Sequence, residues 1–283
     1  SLRDAPPRLS SSPNKRFHRG PTPFPQPPSE RQAMNIVACV KRVPTTDAEV
    51  KVAADGKSLD ESGLSYMISF YDELALEEAV RTKETHGGEV TVLTLGPSSG
   101  TKEIRECLAK GGDRAEVLAD PGWLSRDCRA TAKALAAKLK DLGADLAFMG
   151  RVATDRDNAA VGPMVATYLG WACVTDAISL EIADGKGSAK RETEQGLETI
   201  EFSLPAVITC NKGLNEPRYS NLRGIMAAKK KPFEESPAEL VENQASVSAL
   251  APPAPRAESR ILGTGPDAVP TLIDALRNEA KVL

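Results

Sequence analysis

Residues 89–112 read EVTVLTLGPSSGTKEIRECLAKGG, and this stretch decides how the rest of the chain folds. Glu89 to Leu95 is an apolar, β-branched run of strand length. Gly96-Pro97-Ser98 cuts it off. Ile104 and Leu108 then fall four apart on one face of a helix, and Gly111-Gly112 ends it. Strand, break and helix make half of a crossover unit, and the unit repeats in both directions. Upstream, Asn35 to Val40 (NIVACV) suits a buried parallel strand. A helix opens at Ser69-Phe70-Tyr71-Asp72, where Ser69 and Asp72 have capping-box spacing and Leu74, Ala75, Ala79 and Val80 supply an apolar stripe. Between the two, Asp55-Gly56 marks a hairpin-type turn within residues 50–64. Downstream come a third strand at Ala115 to Leu118, a long Ala-rich helix from Ser125 to Leu142, and a fourth strand at Asp145 to Met149. This alternation predicts an α/β fold: an open, mostly parallel, Rossmann-like sheet with helices on both faces.

After Val174 the pattern changes. Ile178 to Ile182, Ser188 to Thr193 and Leu197 to Phe202 read as antiparallel strands, joined by turns at Asp184-Gly185 and Gly196. They lead into Leu204 to Pro232, LPAVITCNKGLNEPRYSNLRGIMAAKKKP. Pro205 to Thr209 is a buried strand entered through proline. Asn211 to Tyr219 is a loop. Ser220 to Lys231 forms a helical turn or two carrying Leu222, Ile225 and Met226 and ending in Lys229, Lys230 and Lys231. Large apolar residues beside a basic cluster fit a docking loop, and they also fit an ordinary helix with Leu222 in the core.

Residues 1–33 hold eight prolines and six Arg or Lys against Asp4 and Glu30, with too little apolar surface to pack, so disorder and dispensability are expected there. Met34 begins the folded pattern. An α/β domain is expected over 34–233, with the candidate docking loop at about 210–232. An Ala-, Pro- and Ser-rich arm over 234–283 carries a last short helix at Pro270 to Asn278.

With 41% hydrophobic residues and a net charge of −3, the chain can bury a core and has no general attraction for nucleic acid. Aromatics at 4% argue against a base-stacking platform. The five cysteines are scattered without a CxxC pair, and four sit in apolar or helical contexts, as expected of small core residues in a reducing compartment. His18 and His86 make no metal site, and no apolar run reaches the length of a membrane span. A soluble intracellular protein without membrane insertion is expected. No Ser/His/Asp set or other acid–base machinery is present, so substrate turnover is not expected.

Open parallel sheets bind ligands at the carboxyl ends of their strands. Three strand ends offer suitable material: Val40-Lys41-Arg42, Leu95-Gly96-Pro97-Ser98 and residues 150–155. Neither GxGxxG nor GxxxxGK[ST] occurs, so both the dinucleotide fingerprint and the P-loop are missing. Residues 150–161, GRVATDRDNAAV, read as a strand end, a loop and a helix start whose free amides hold an anion. A plain N-cap at Asp155 or Asp157 would explain the same residues without a ligand.

Leu204, Pro205, Ala206, Leu214 to Tyr219, Leu222, Ile225, Met226 and Lys229 to Lys231 together resemble the signature of the electron transfer flavoprotein beta subunit. The resemblance runs from about Met34 to Phe233. It implies a heterodimer with an alpha subunit that carries most of the redox FAD, with Tyr71 near the flavin ring. Electrons would pass from flavin dehydrogenases, such as acyl-CoA dehydrogenases, to a membrane-bound, quinone-linked oxidoreductase. Partner docking would fall to Leu222, Ile225, Met226, Lys229, Lys230 and Lys231, with Leu222 as the anchor.

A structural AMP is implied at Cys39, Ser69, Phe70, Tyr71, Asp72 and Leu95. Its site continues through Gly150, Arg151, Val152, Ala153, Thr154, Asp155, Arg156, Asp157, Asn158, Ala159, Ala160 and Val161. Bacterial cytoplasm is the expected location, with the mitochondrial matrix as the other. Departures from the family include Ser69-Phe70 where Asn-Pro is common, Ala159-Ala160 where Gln or Asn is common, and Thr46 in place of an aromatic. A sub-group that binds a second FAD instead of AMP has a loop like DGDTAQVGP; this chain reads DRDNAAVGP, with Arg156 in place of a glycine. A stand-alone adenine-nucleotide sensor on the same fold is the other reading.

Overall fold

The computed structural model describes residues 33–256 and 258–283. The disorder expected for residues 1–33 lies, except for Ala33, outside the described residues. The strands are β1 (Met34–Cys39), β2 (Arg42–Pro44), β3 (Tyr66–Ile68), β4 (Gly88–Gly96), β5 (Arg114–Ala119), β6 (Leu146–Gly150), β7 (Ala172–Ala183), β8 (Lys186–Thr193), β9 (Gly196–Ser203), β10 (Ala206–Cys210) and β11 (Phe233–Pro237). The helices are α1 (Phe70–His86), α2 (Thr101–Ala109), α3 (Cys128–Asp141), α4 (Val161–Leu169), α5 (Leu222–Ala228) and α6 (Val269–Asp274). A 9-stranded sheet runs β11-β5-β4-β1-β6-β10-β7-β8-β9, and β2 and β3 pair separately. The seven strands from β11 to β7 are parallel, and β8 and β9 extend the sheet antiparallel.

The central strands are apolar on both faces because both faces are covered. In β1, Ile36 and Ala38 join one core and Val37 and Cys39 the other. Leu146 and Phe148 in β6 follow the first set, and Ala147 and Met149 the second. Leu74 and Leu76 of α1, Ile104 and Leu108 of α2 and Ala228 of α5 cover the first face. Leu135 and Leu139 of α3 and Val165 and Ala166 of α4 cover the second. The predicted doubly covered α/β sheet is therefore present.

The differences from expectation are local. Ser69 is the N-cap of α1, but its side chain makes no capping bond. Its hydroxyl instead accepts from the Thr154 amide at 3.3 Å, and Asp72 faces away from the helix start, so the capping box does not form. The long helix begins at Cys128, with Asp127 as its cap, because residues 123–125 make a separate 3-10 turn. The sheet takes in residues 233–237 as β11, four residues past the expected end of the domain. Of the free cysteines, Cys39, Cys107 and Cys210 are buried, Cys128 is half-buried and Cys173 is exposed.

From β1 the chain winds through β4 to β5, then returns past β1 to β6 and continues away from β1 to β7, with β10 filling the place between β6 and β7. β1 and β6 are thus adjacent strands whose connections leave in opposite directions. A crevice opens over their carboxyl ends for that reason.

Candidate functional site

That crevice is a cleft with about 940 Å³ of free space, counting the solvent at its mouth. Its floor is Cys39 at the end of β1 with Val40 and Lys41 just after it, Leu95 from β4, and Met149 and Gly150 from β6. One wall is the β6–α4 loop; the other is the segment from Trp123 to Thr131 that opens α3.

Asp72 holds the floor together. Its carboxylate accepts from the Lys41 amide and from the Gly150 amide, both at 2.8 Å. The ends of β1 and β6 are thereby stapled to α1. Burial pushes the Asp72 carboxyl up to about 7, against the opposing pull of those two amides and Lys41. Gly150 fits only because it lacks a side chain: a Cβ there would lie 2.5 Å from Asp72 Oδ1 and 2.8 Å from Tyr71 Cβ.

The cations around the cleft are already engaged. Lys41 Nζ pairs with Asp155 at 2.7 Å, and Arg126 forks onto Asp120 at 2.9 and 3.1 Å. Arg151 lies 3.1 Å from Asp176, an ion pair without the alignment of a hydrogen bond. Arg156 Nη2 donates to the Leu124 carbonyl, and Asn158 Nδ2 contacts Cys128 Sγ at 3.1 Å, so two side chains reach from one wall to the other.

What remains for an anion is backbone. Among the described residues, the amides of Asn158 to Gly162 have no acceptor, and α4 has no side-chain cap, its N-cap being Ala160. Neither Asp155 nor Asp157 caps it. Asp157 and Ala159 hold φ of 48° and 50°, left-handed values that are uncommon outside glycine. α4 approaches closely: a Cβ on Gly162 would lie 2.5 Å from Thr209 Cγ2. Free amides at the start of a nine-residue helix suit a phosphate.

Of the residues expected here, Cys39, Asp72, Leu95, Gly150 to Ala153, Asp155, Arg156 and Asn158 to Val161 line the cleft. Ser69, Phe70, Tyr71, Thr154 and Asp157 do not. Ser69 supports the loop from behind through Thr154. Phe70 and Tyr71 stack edge to face at 5.3 Å beside the cleft, with Arg151 at 5.7 Å from the Tyr71 ring. The sequence reading missed Trp123, Leu124, Arg126, Cys128 and Thr131. These follow the carboxyl end of β5, the one strand end of the four that was not singled out. Lys41, just past the end of β1, also lines the cleft.

The segment before β11 forms a second feature, tied to α1 and α2. Arg218 forks onto Glu77 at 2.8 and 3.0 Å and onto Glu84 at 2.7 and 3.0 Å. Asn215 donates to the Leu74 carbonyl and to Glu78. Asn221 Oδ1 caps α5, accepting from the Gly224 amide at 2.8 Å. With this scaffold fixed, Tyr219 is 95% exposed, Leu222 77%, Met226 56% and Ile225 43%. Leu222 is not in the core. Lys229 and Lys230 are exposed beside them, whereas Lys231 turns back and donates to the Leu108 and Gly112 carbonyls. Tyr219, the most exposed aromatic among the described residues, is part of the same signature and stands with these contact residues.

Among the described residues, no group of His, Cys, Asp and Glu is placed to hold a metal ion, and no helix is long and apolar enough to cross a membrane.

The family model for the electron transfer flavoprotein domain matches residues 57–241. The electron transfer flavoprotein subunit beta of Bacillus subtilis is 36% identical over 259 residues, covering 88% of this chain and 100% of that protein. Its counterpart from Thermoanaerobacterium thermosaccharolyticum is 40% identical over 195 residues, 69% of this chain and 75% of that protein. The CarD subunit of a caffeyl-CoA reductase–Etf complex from Acetobacterium woodii is 40% identical over 202 residues, 71% of this chain and 77% of that protein. The match takes in both the β6–α4 loop and the exposed segment before β11, and it fixes what the geometry alone leaves open: the chain belongs to the electron transfer flavoprotein beta-subunit family, and its role is electron transfer.

Proposed function

We propose that this chain pairs with a FAD-carrying alpha subunit, holds AMP in the cleft, and accepts electrons from flavin dehydrogenases that dock on α5. The electrons then go to a membrane-bound, quinone-linked oxidoreductase. The observation that carries the docking role is the exposed cluster of Tyr219, Leu222, Ile225 and Met226 beside Lys229 and Lys230. An apolar group of this size, unburied on a scaffold fixed by ion pairs, marks a binding surface. The cations beside it suit a pocket rimmed by carboxylates.

AMP is favoured in the cleft because free backbone amides offer a phosphate site and Leu95, Trp123, Leu135 and Met149 supply apolar wall beside it. The redox FAD supplies the electron-carrying ring. This chain offers it the Phe70–Tyr71 pair and Arg151 at the rim of the cleft. A second FAD in place of AMP is the other reading, and the Val161-Gly162-Pro163 match favours it. Arg156 reaching across to the Leu124 carbonyl supports the smaller ligand. The bacterial relatives fit a cytoplasmic carrier.

The test is to mix the heterodimer with a catalytic amount of a flavin dehydrogenase and its substrate. Bleaching of the bound flavin is expected. A nucleotide sensor without a redox role would bind nucleotide with no alpha subunit present and show no bleaching with any dehydrogenase.

A further inference from the structure

We infer that Arg105, on α2, is a positioning residue for partner docking: it fixes the docking helix from beneath without facing the partner. The inference rests on α5 being the docking helix.

α5 has seven residues, and Ala228 is its only buried one. A helix this short has little stability of its own, and hydrophobic burial adds little more. Its place is set by polar ties at the far end from Asn221. Arg105 Nη1 donates to the Ala228 carbonyl at 2.6 Å and to the Lys231 carbonyl at 2.9 Å. Its guanidinium lies 4.6 Å from the Phe233 ring centroid. Lys231 makes the reciprocal tie, from Nζ to the Leu108 carbonyl at 2.9 Å and the Gly112 carbonyl at 2.6 Å. Both cations neutralise carbonyls at helix ends, where the macrodipole is negative. Between the ties the fit is tight: a Cβ on Gly224 would lie 2.4 Å from the Ala109 carbonyl oxygen.

Leu222 and Met226 therefore stand on a platform whose height and angle are set by α2. Removing Arg105 alters no side chain of the exposed cluster, yet it frees the end of the helix that carries them. A partner must then order that end on binding, and this reordering weakens affinity. Lys231 belongs with Arg105 in this role and not with the solvent-facing Lys229 and Lys230.

The test uses the heterodimer with its alpha subunit, a flavin dehydrogenase, and three variants in parallel: Arg105→Ala, Gly224→Ala and Leu222→Ala. Arg105→Ala is expected to raise KM for the heterodimer as acceptor about tenfold, the effect of one or two charge-assisted hydrogen bonds. Both kcat and the bound FAD and AMP should be unchanged. Tryptic cleavage after Arg223, Lys229 and Lys230 should be faster. Gly224→Ala displaces the same helix by a different route and should reproduce the KM effect, so it carries the test if Arg105→Ala fails to fold. Normal KM in Arg105→Ala and Gly224→Ala, alongside a raised KM in Leu222→Ala, would overturn the inference alone. A normal KM in Leu222→Ala would overturn the docking assignment itself.

Discussion

Leu222→Ala slows electron transfer from a flavin dehydrogenase about tenfold to a hundredfold at limiting acceptor and leaves the melting temperature nearly unchanged. Leu222 is 77% exposed in the free chain, so truncating it creates no cavity, and an exposed substitution of this kind changes stability by about 0.5 kcal/mol or less. Seated in an apolar pocket of a partner, the same side chain contributes about 1.5–3 kcal/mol, which is the stated loss in affinity. Interface energy concentrates in a few such anchors. A core leucine would give the reverse pattern, with a loss of about 2–5 kcal/mol of stability and normal transfer by the folded fraction. Melting and transfer measured on one preparation separate the two. A large melting drop with normal transfer would remove the docking role.

Gly150→Ala is expected to empty the cleft and lower stability together. The added methyl carbon would lie 2.5 Å from Asp72 Oδ1, 2.8 Å from Tyr71 Cβ and 2.9 Å from the Tyr71 carbonyl carbon. Two of those atoms belong to the start of α1 and one to the carboxylate that staples β1 to β6, so none is the far end of a flexible chain. Overpacking costs about 1–3 kcal/mol. Losing the bond from the Gly150 amide to Asp72 adds about 1–3 kcal/mol for the buried group left unpaired. A domain of this size loses about 2–4 °C per kcal/mol. Melting should fall accordingly, and bound nucleotide should be absent from the purified heterodimer. Full nucleotide content with unchanged melting would show that the strand end yields easily and that the staple is unimportant.

The parts of the fold that could be read from sequence are those where one local pattern dominates. The strand–break–helix of residues 89–112 recurs, and the crevice follows from where the winding reverses. The first strand, the Asp55-Gly56 turn and the antiparallel hairpins were legible for the same reason: short-range chemistry alone specifies them. Ser69 and Asp72 mark the limit of that kind of reading. Their spacing matches a local cap, but Asp72 finds two amides distant in sequence, Lys41 just past β1 and Gly150 at the end of β6, and those bonds prevail over the local one. Trp123 and Arg126 were not legible as cleft residues, since only the end of β5 brings them there. The inward turn of Lys231 was hidden as well. Three consecutive lysines look alike in sequence, and only the carbonyls ending α2 distinguish the last from the other two.

The nucleotide content of the intact heterodimer tests most directly whether this chain is an AMP-holding beta subunit of a single-flavin carrier. Purified together with its alpha subunit, denatured and analysed by chromatography, the complex should release one FAD and one AMP. Two FAD and no AMP would contradict the assignment of the cleft.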